Sequence, residues 1–184
     1  MRIVELRRHA ERDANEDLTA RGLEQCARAR ETLDFPYDAF VTGPAKRARL
    51  TMEALGGTAT AVDPRIGPRP RRPFLEFEKR HRDLMARGMD AVTAWFAIPE
   101  AIAPLEEVGR TAAIAVTEIA AKLPKDGRAL AVSHGGTIEP MAVVALGRPF
   151  GSLFGGAELA NCEGVKAYVR DDSIVRVDIV RLPP

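Results

Sequence analysis

The spacing of apolar residues in the first part of the chain changes between the period of a strand and that of a helix. A short apolar run at residues 3–6 predicts an opening strand. Residues 18–33 carry apolar side chains at roughly helical spacing, and Thr19 is a suitable N-cap for that helix. Residues 37–44 predict a second short strand. The chain therefore begins with the order strand, helix, strand.

The next stretch continues this alternation and then departs from it. Pro44 is placed to begin a helix that runs to about Leu55, and residues 58–63 predict a third strand. Residues 64–82 contain several prolines, seven Arg or Lys residues and two glutamates, so they cannot form one continuous helix. We expect this segment to run over the surface.

In the second half, a helical period is followed by a return to strands. Residues 91–123 are rich in alanine and apolar residues, with the longest helix expected after Pro104. Residues 127–136 repeat the opening pattern, because an apolar strand again stops at a histidine. Residues 165–170 and 173–180 predict a terminal hairpin.

Strands that alternate with helices favour a sheet covered by helices on both faces. The predicted fold is α/β, a three-layer α/β/α sandwich with a mostly parallel central sheet. A chain of 184 residues is long enough for one well-buried core and short for two, so a single domain over residues 1–184 is expected.

The charge balance does not point to a macromolecular partner. The 27 basic and 26 acidic residues leave a net charge of +1, which suggests neither nucleic acid nor an anionic membrane. Cys26 and Cys162 lack metal-ligand spacing and fit two reduced thiols in a cytosolic protein. No run of about 18 apolar residues occurs. We predict a cytoplasmic protein without a metal or cofactor, and the sequence leaves its oligomeric state open.

Three predicted strands end in residues that are unusual for simple strand termini. Arg8 and His9 end the first strand, Arg47 follows the second, and His134 ends the later strand and precedes two glycines. In such sheets, ligands bind where strands end and turn into helices. If these ends adjoin, the four side chains form one site.

Two arginines and two histidines in one pocket are suited to phosphoryl transfer. Arginine has a rigid fork of donors that matches phosphate oxygens. A neutral imidazole can attack phosphorus while a second, protonated imidazole donates to the transferring group. A fixed cationic site of this kind can stabilise the transferring group without a metal. The glycines after His134 allow backbone amides to approach an anion.

Five segments, in order, resemble the histidine phosphatase superfamily, the phosphoglycerate mutase-like proteins. "LRRHAERD" resembles its Arg-His-Gly signature, and "LTARGLEQC" resembles the start of its first helix. "TGPAKRARLTMEAL" is similar to its Ser-Pro-x-x-Arg element, "AVSHGGTI" to its second histidine strand, and "NCEGVKAYV" to the segment before its final strands. The resemblance spans residues 3–169.

The resemblance implies a metal-independent phosphatase in which His9 is the nucleophile and forms a phosphohistidine. Arg8, Arg47 and His134 would then hold the phosphoryl group. The implied substrate is a small phosphorylated metabolite or a phosphohistidine protein.

Two further roles follow from the same resemblance. Family members commonly have a carboxylic acid, between the second arginine and the second histidine, that protonates the leaving group. Glu76 is the preferred candidate for that acid, and Glu78 is the alternative. Asn15 stands where some members have a further asparagine that contacts phosphate.

The chain also departs from the family pattern. Ala10 replaces the glycine after the histidine, and Gly43 replaces the serine before proline. These departures leave open a degenerate member that binds a phosphorylated ligand without turning it over. Phosphoglycerate mutase-type transfer is the other alternative, although the chain has little room for the insertions of those mutases. The basic residues of the 64–82 segment either attract an anionic substrate or belong to a solvated loop.

Overall fold

A six-stranded sheet organises the computed structural model, which describes residues 1–183. The strands are β1 (Arg2–Arg8), β2 (Ala39–Thr42), β3 (Ala61–Val62), β4 (Arg128–Ser133), β5 (Gly164–Arg170) and β6 (Ser173–Val180). The helices are α1 (Ala20–Arg30), α2 (Lys46–Ala54), α3 (Glu78–Ala86), α4 (Ala91–Phe96), α5 (Ile102–Ala121), α6 (Gly135–Leu146) and α7 (Phe150–Phe154). Short 3₁₀ turns cover Pro64–Ile66, Arg72–Phe77 and Pro99–Ala101.

The sheet has the strand order β3-β2-β4-β1-β5-β6. The first four strands of this order pair in parallel, whereas β5 is antiparallel to both of its neighbours. The predicted α/β fold with a mostly parallel sheet is therefore confirmed, as is the terminal hairpin. Within residues 1–183, no helix combines the length and the apolar character needed to cross a bilayer.

The side chains of β4 alternate between two cores on opposite faces of the sheet. Ala129 and Ala131 pack in a core that includes apolar residues of α5 and α6. Leu130 and Val132 pack in a second core with residues of α1 and α2. This alternation is the period of two expected of a strand, and it produces the predicted three layers.

Most predicted elements occur with shifted ends. Thr19 caps α1 as predicted, because its side chain accepts a hydrogen bond of 3.0 Å from the Gly22 N–H. The helix expected from Pro44 begins two residues later, at Lys46. The strand predicted at residues 58–63 is only two residues long.

The prediction that residues 64–82 run over the surface is wrong for part of that segment. Phe74 is buried and packs with Trp95 in a third apolar core. The hydroxyls of Ser133 and Thr137 donate hydrogen bonds of 2.6 and 2.7 Å to backbone carbonyls of the segment. The prolines exclude one continuous helix, but they do not prevent short turns from packing beside the end of β4.

Candidate active site

The ends of three parallel strands lie side by side at one edge of the sheet. Arg8 at the end of β1 is opposite Ser133 at the end of β4, and the His9 N–H donates to the Ser133 carbonyl over 3.0 Å. On the other side of β4, β2 leads into α2, which carries Arg47. The rings of His9 and His134 have centroids 5.0 Å apart.

A pocket of about 440 Å³ opens at these strand ends. Its lining includes His9, His134, Arg8 and Arg47, which are the four residues that the strand ends predict. The walls also include Pro68, Arg69 and Arg71, the start of α6, and parts of α3 and α4. The volume lies in the range of pockets that hold small organic ligands, roughly 300 to 1,000 Å³.

The hydrogen bonds of His9 fix the position of its proton. Its Nδ1 lies 2.8 Å from the Ala10 carbonyl oxygen. Because a carbonyl can only accept, Nδ1 carries the proton, and Nε2 of the neutral ring keeps its lone pair. The side-chain amide of Asn161 donates to the His9 carbonyl over 2.8 Å and holds the backbone at this point. Nε2 is thus the His9 nitrogen with a free lone pair.

His134 has the opposite arrangement of donor and acceptor. Its Nδ1 lies 3.2 Å from Nη2 of Arg47. A guanidinium can only donate, so Nδ1 accepts and Nε2 carries the proton of the neutral ring. That Nε2 is buried and has no hydrogen-bond partner among residues 1–183. His134 can therefore donate a hydrogen bond to a ligand oxygen without being charged.

Both histidines are neutral at physiological pH. Burial, with added repulsion from Arg47 and Arg8, lowers the pKa of His9 from 6.5 to about 4. Burial, then the neighbouring His9 and both arginines, lowers the pKa of His134 to about 3. The expectation of a protonated second histidine therefore does not hold for the free pocket, because two fixed guanidinium charges disfavour a third cation there.

Arg8 and Arg47 each have a carboxylate partner. Arg8 lies 3.3 Å from Glu158 and also donates to the Leu159 carbonyl. Arg47 forms an ion pair with Glu16, a residue with a left-handed backbone conformation, φ 64°. A phosphoryl dianion carries more charge than either carboxylate, so it can compete with both for the guanidinium groups.

Comparison of the sequence with protein families gives a match over residues 4–177 to the model described as histidine phosphatase superfamily (branch 1). The chain belongs to the histidine phosphatase superfamily. This membership covers almost the whole chain, as the five ordered motifs predict. It supports the prediction that the protein is a phosphatase. Comparison with curated proteins gives no match.

Solved structures share the fold of this histidine phosphatase at low sequence identity. A mycobacterial hydrolase superposes with a TM-score of 0.72 at 20% identity and covers 100% of this chain and 99% of its own. A phosphoserine phosphatase from Entamoeba histolytica, solved with 3-phosphoglyceric acid, gives 0.69 at 17% identity, with 98% and 97% covered. A mycobacterial glucosyl-3-phosphoglycerate phosphatase gives 0.67 at 20% identity and 100% coverage of both chains.

The two candidate acids of this histidine phosphatase have different positions. Glu76 is exposed on the Arg72–Phe77 turn and does not line the pocket, whereas Glu78 at the start of α3 does. Glu78 pairs with Arg71, whose Nε lies 3.0 Å from Oε1, and this contact lowers the pKa of Glu78. The structure therefore brings only the alternative candidate to the pocket, in its ionised form.

Asn15 does not reach the pocket. It is exposed, and its carbonyl lies 3.4 Å from Nζ of Lys46. The neighbouring Glu16 instead extends toward Arg47. The loop is held by Asp13, whose carboxylate accepts from two backbone N–H groups. The structure thus gives the contact expected of Asn15 no support and places an acidic neighbour there.

The two departures from the family pattern have physical explanations. Ala10 does not need a positive φ, its side chain is buried in the core with Cys26, and its N–H donates to Thr51 over 2.9 Å. Gly43 is required by close packing, because a Cβ there would lie 2.9 Å from the Cα of Gly67. Neither departure places a side chain in the pocket.

Two buried ionisable residues near the site, Arg7 and Glu139, are not among the predicted site residues. Arg7 is fully buried and pairs with Glu5 at 2.5 Å, on the opposite face of β1 from Leu6. Glu139, one turn into α6, accepts from the Leu159 N–H, while its second oxygen has no partner among residues 1–183. Burial raises the pKa of Glu139 to about 8. In the sequence, the only signal for Arg7 and Glu139 is that each lies close to a histidine of the site.

In the described part of the chain, no group of three or more His, Cys, Asp or Glu side chains is arranged to hold a metal ion.

Proposed function

We propose that the protein is a phosphomonoester hydrolase that acts through a phosphohistidine on His9. The observation that carries this proposal is the pair of complementary imidazoles between two guanidinium groups. His9 has a free lone pair on Nε2, and His134 has an unpartnered N–H. Phosphoryl transfer depends mainly on such positioning and charge stabilisation.

In the first half-reaction, Nε2 of His9 attacks phosphorus and the bond to the leaving oxygen breaks. Arg8 and Arg47 neutralise the equatorial oxygens, and the Nε2–H of His134 donates to one of them. The low pKa of His9 keeps its lone pair available at neutral pH. The phosphoryl group is then bonded to nitrogen.

In the second half-reaction, water attacks the phosphohistidine and releases inorganic phosphate. An ionised carboxylate on the pocket wall suits the role of base for that water, and Glu78 is such a group. The leaving group takes its proton from solvent. The substrate is a small phosphorylated molecule, in keeping with the pocket volume of about 440 Å³.

The test is incubation with 4-nitrophenyl phosphate, with and without EDTA, followed by analysis for acid-labile, base-stable phosphate on the chain. We expect turnover that EDTA does not change, with label on His9 in quenched samples. His9→Ala should lose both turnover and label. Absence of turnover and label in the wild type would support the degenerate phospho-ligand-binding alternative, and turnover by His9→Ala would refute the nucleophile.

A further inference from the structure

Arg69 is a cationic residue of the pocket wall that the proposed reaction does not use. Its guanidinium lies over the rings of Phe74 and Trp95, 4.2 Å from each centroid. Trp95 is in turn stacked on His81, with centroids 4.0 Å apart. The Nε2–H of His81 donates to the Ala91 carbonyl over 2.7 Å, which fixes the stack to α4. Arg69 is therefore held by packing.

The charge of Arg69 has no hydrogen-bond or ion-pair partner within 4.0 Å among residues 1–183. Arg69 is partly buried, and this burial lowers the pKa of its guanidinium, while the charge of the nearby Glu78 acts in the opposite direction. The two aromatic rings stabilise the cation through their faces, and a ligand anion would add the opposite charge that it does not contact in the described part of the protein. Arg69 also lies close to α6, since a Cβ on Gly136 would be 3.5 Å from its Nε. The Arg69 side chain therefore lies on the pocket wall beside the start of α6, which follows His134.

From this geometry we propose that Arg69 binds a second anionic group, carried by the leaving-group part of the substrate. This inference rests on the proposed function and specifies its substrate class as phosphomonoesters with an additional carboxylate or phosphate. Arg8 and Arg47 hold the transferring group, so Arg69 is the wall cation that remains available to the rest of the molecule. The pocket volume leaves room for such a leaving group.

The experiment compares two aryl phosphates that differ in one charge. The first is 4-carboxyphenyl phosphate, and the second is the same phosphate with its carboxylate converted to a methyl ester. We expect a higher kcat/KM for the carboxylate in the wild type. Arg69→Gln should lower kcat/KM for the carboxylate by about 10- to 100-fold and leave the ester within a few-fold, because one charge-assisted hydrogen bond is lost. Arg69→Lys should restore part of the preference, and the exposed Arg72→Gln is the matched control.

Each outcome separates this inference from the proposed function. Equal kcat/KM of the wild type for the two aryl phosphates would refute the second anion site. An equal decrease in kcat/KM for both substrates in Arg69→Gln would refute it as well. Neither result would contradict the proposed phosphatase reaction. If neither ester is hydrolysed, the proposed reaction fails, and binding of 4-carboxyphenylphosphonate then tests the site alone. A third aryl phosphate, with a phosphonate in place of the carboxylate, shows whether the site prefers a carboxylate or a phosphate-like anion.

An independent observation concerns the two cysteines, which lie 136 positions apart in the sequence. Their sulfurs are 3.8 Å apart in the core beneath β1, and both thiols are free and buried. Cys162 is directly connected to the catalytic strand end, because its N–H donates to the Arg8 carbonyl over 3.0 Å and its carbonyl accepts from Arg7 over 3.1 Å. Its φ of 64° places it in a tight turn.

We infer that Cys26 and Cys162 are a site of disulfide formation under peroxide. The Cys26 thiol loses its proton, the thiolate attacks hydrogen peroxide, and the O–O bond breaks to give a sulfenic acid and hydroxide, which takes up the released proton to form water. The Cys162 sulfur then attacks the sulfenic sulfur, the S–O bond breaks, and a second water leaves. Since a disulfide is about 2 Å long, the sulfurs must move closer, and this movement acts on the turn that holds Arg8.

Treatment of the folded protein with hydrogen peroxide tests this second inference. We expect the loss of two hydrogen atoms in the intact mass, a peptide linking the two cysteines, and lower aryl phosphatase activity that dithiothreitol restores. Cys26→Ala should keep its activity under peroxide. Two free thiols after treatment, or equal inhibition of Cys26→Ala, would refute the inference.

Discussion

At the scale of single residues, proton transfer in the second half-reaction depends on which carboxyl reaches the pocket. Glu78 lines it in ionised form, whereas Glu76 is exposed outside it. We predict that Glu78→Gln lowers kcat by about 100-fold or more, because a positioned base typically contributes that much. The phosphohistidine on His9 should accumulate, since its hydrolysis is the slowed step. Rapid quenching with labelled substrate measures both quantities.

The matched control is Glu76→Gln, which should keep the wild-type kcat and the wild-type level of label. A loss of activity in Glu76→Gln but not in Glu78→Gln would instead assign the proton transfer to Glu76. If Glu78→Gln shows no accumulated label despite slow turnover, Glu78 acts before the phosphohistidine forms.

The same pair shows what the sequence could predict about single residues. Arg8, His9 and His134 lie at the ends of strands, and Arg47 lies at the start of a helix. At these positions the direction of the backbone determines which edge of the sheet the residues reach. Glu76 and the alternative acid lie two positions apart around a 3₁₀ turn that leads into a helix, so their side chains point differently. Nothing in local sequence specifies the rotation of such a turn.

At the scale of elements, the strand end at Gly43 and the segment beginning at Pro64 are packed backbone to backbone. A Cβ at position 43 would lie 2.9 Å from the Gly67 Cα and 3.0 Å from the Ile66 carbonyl oxygen. We predict that Gly43→Ser, which introduces the family's usual residue, lowers the free energy of unfolding by about 1 to 3 kcal/mol, the usual cost of overpacking. Urea denaturation measures this change.

Gly151→Ser is the control for that substitution. A Cβ there meets no atom within 4 Å, so its free energy of unfolding should stay within about 0.5 kcal/mol of the wild type. An equal loss of stability in both variants would mean that the close approach at Gly43 is not the cause.

The elements that the sequence predicted well are those whose periodicity reflects burial on one or both faces, such as β1, β4 and α5. The segment at residues 64–82 was less predictable because its order comes from distant partners. Ser133 and Thr137 bind its backbone, and Phe74 packs on Trp95. Tertiary contacts of this kind leave no periodic signal in the segment itself.

At the scale of the whole molecule, the buried ionisable groups of the site make stability depend on pH in two opposing ways. The pKa values of His9 and His134 fall on folding from 6.5 to about 4 and about 3, so the unfolded chain binds more protons there. Their contribution therefore rises with pH and is complete above about pH 7. The pKa of Glu139 rises from 4.5 to about 8, so the folded chain binds the extra proton, and stability falls as pH rises through this range.

Above pH 7 the contribution of Glu139 is therefore separable from that of the histidines. We predict that Glu139→Gln, which cannot ionise, gains about 1 kcal/mol of unfolding free energy relative to the wild type between pH 7 and pH 8.5. The glutamine oxygen can still accept from the Leu159 N–H, so the local fold is retained. Urea denaturation of both proteins across this pH range measures the difference, in which contributions common to both cancel. A difference that stays constant with pH would show that Glu139 does not titrate in this range, contrary to the prediction.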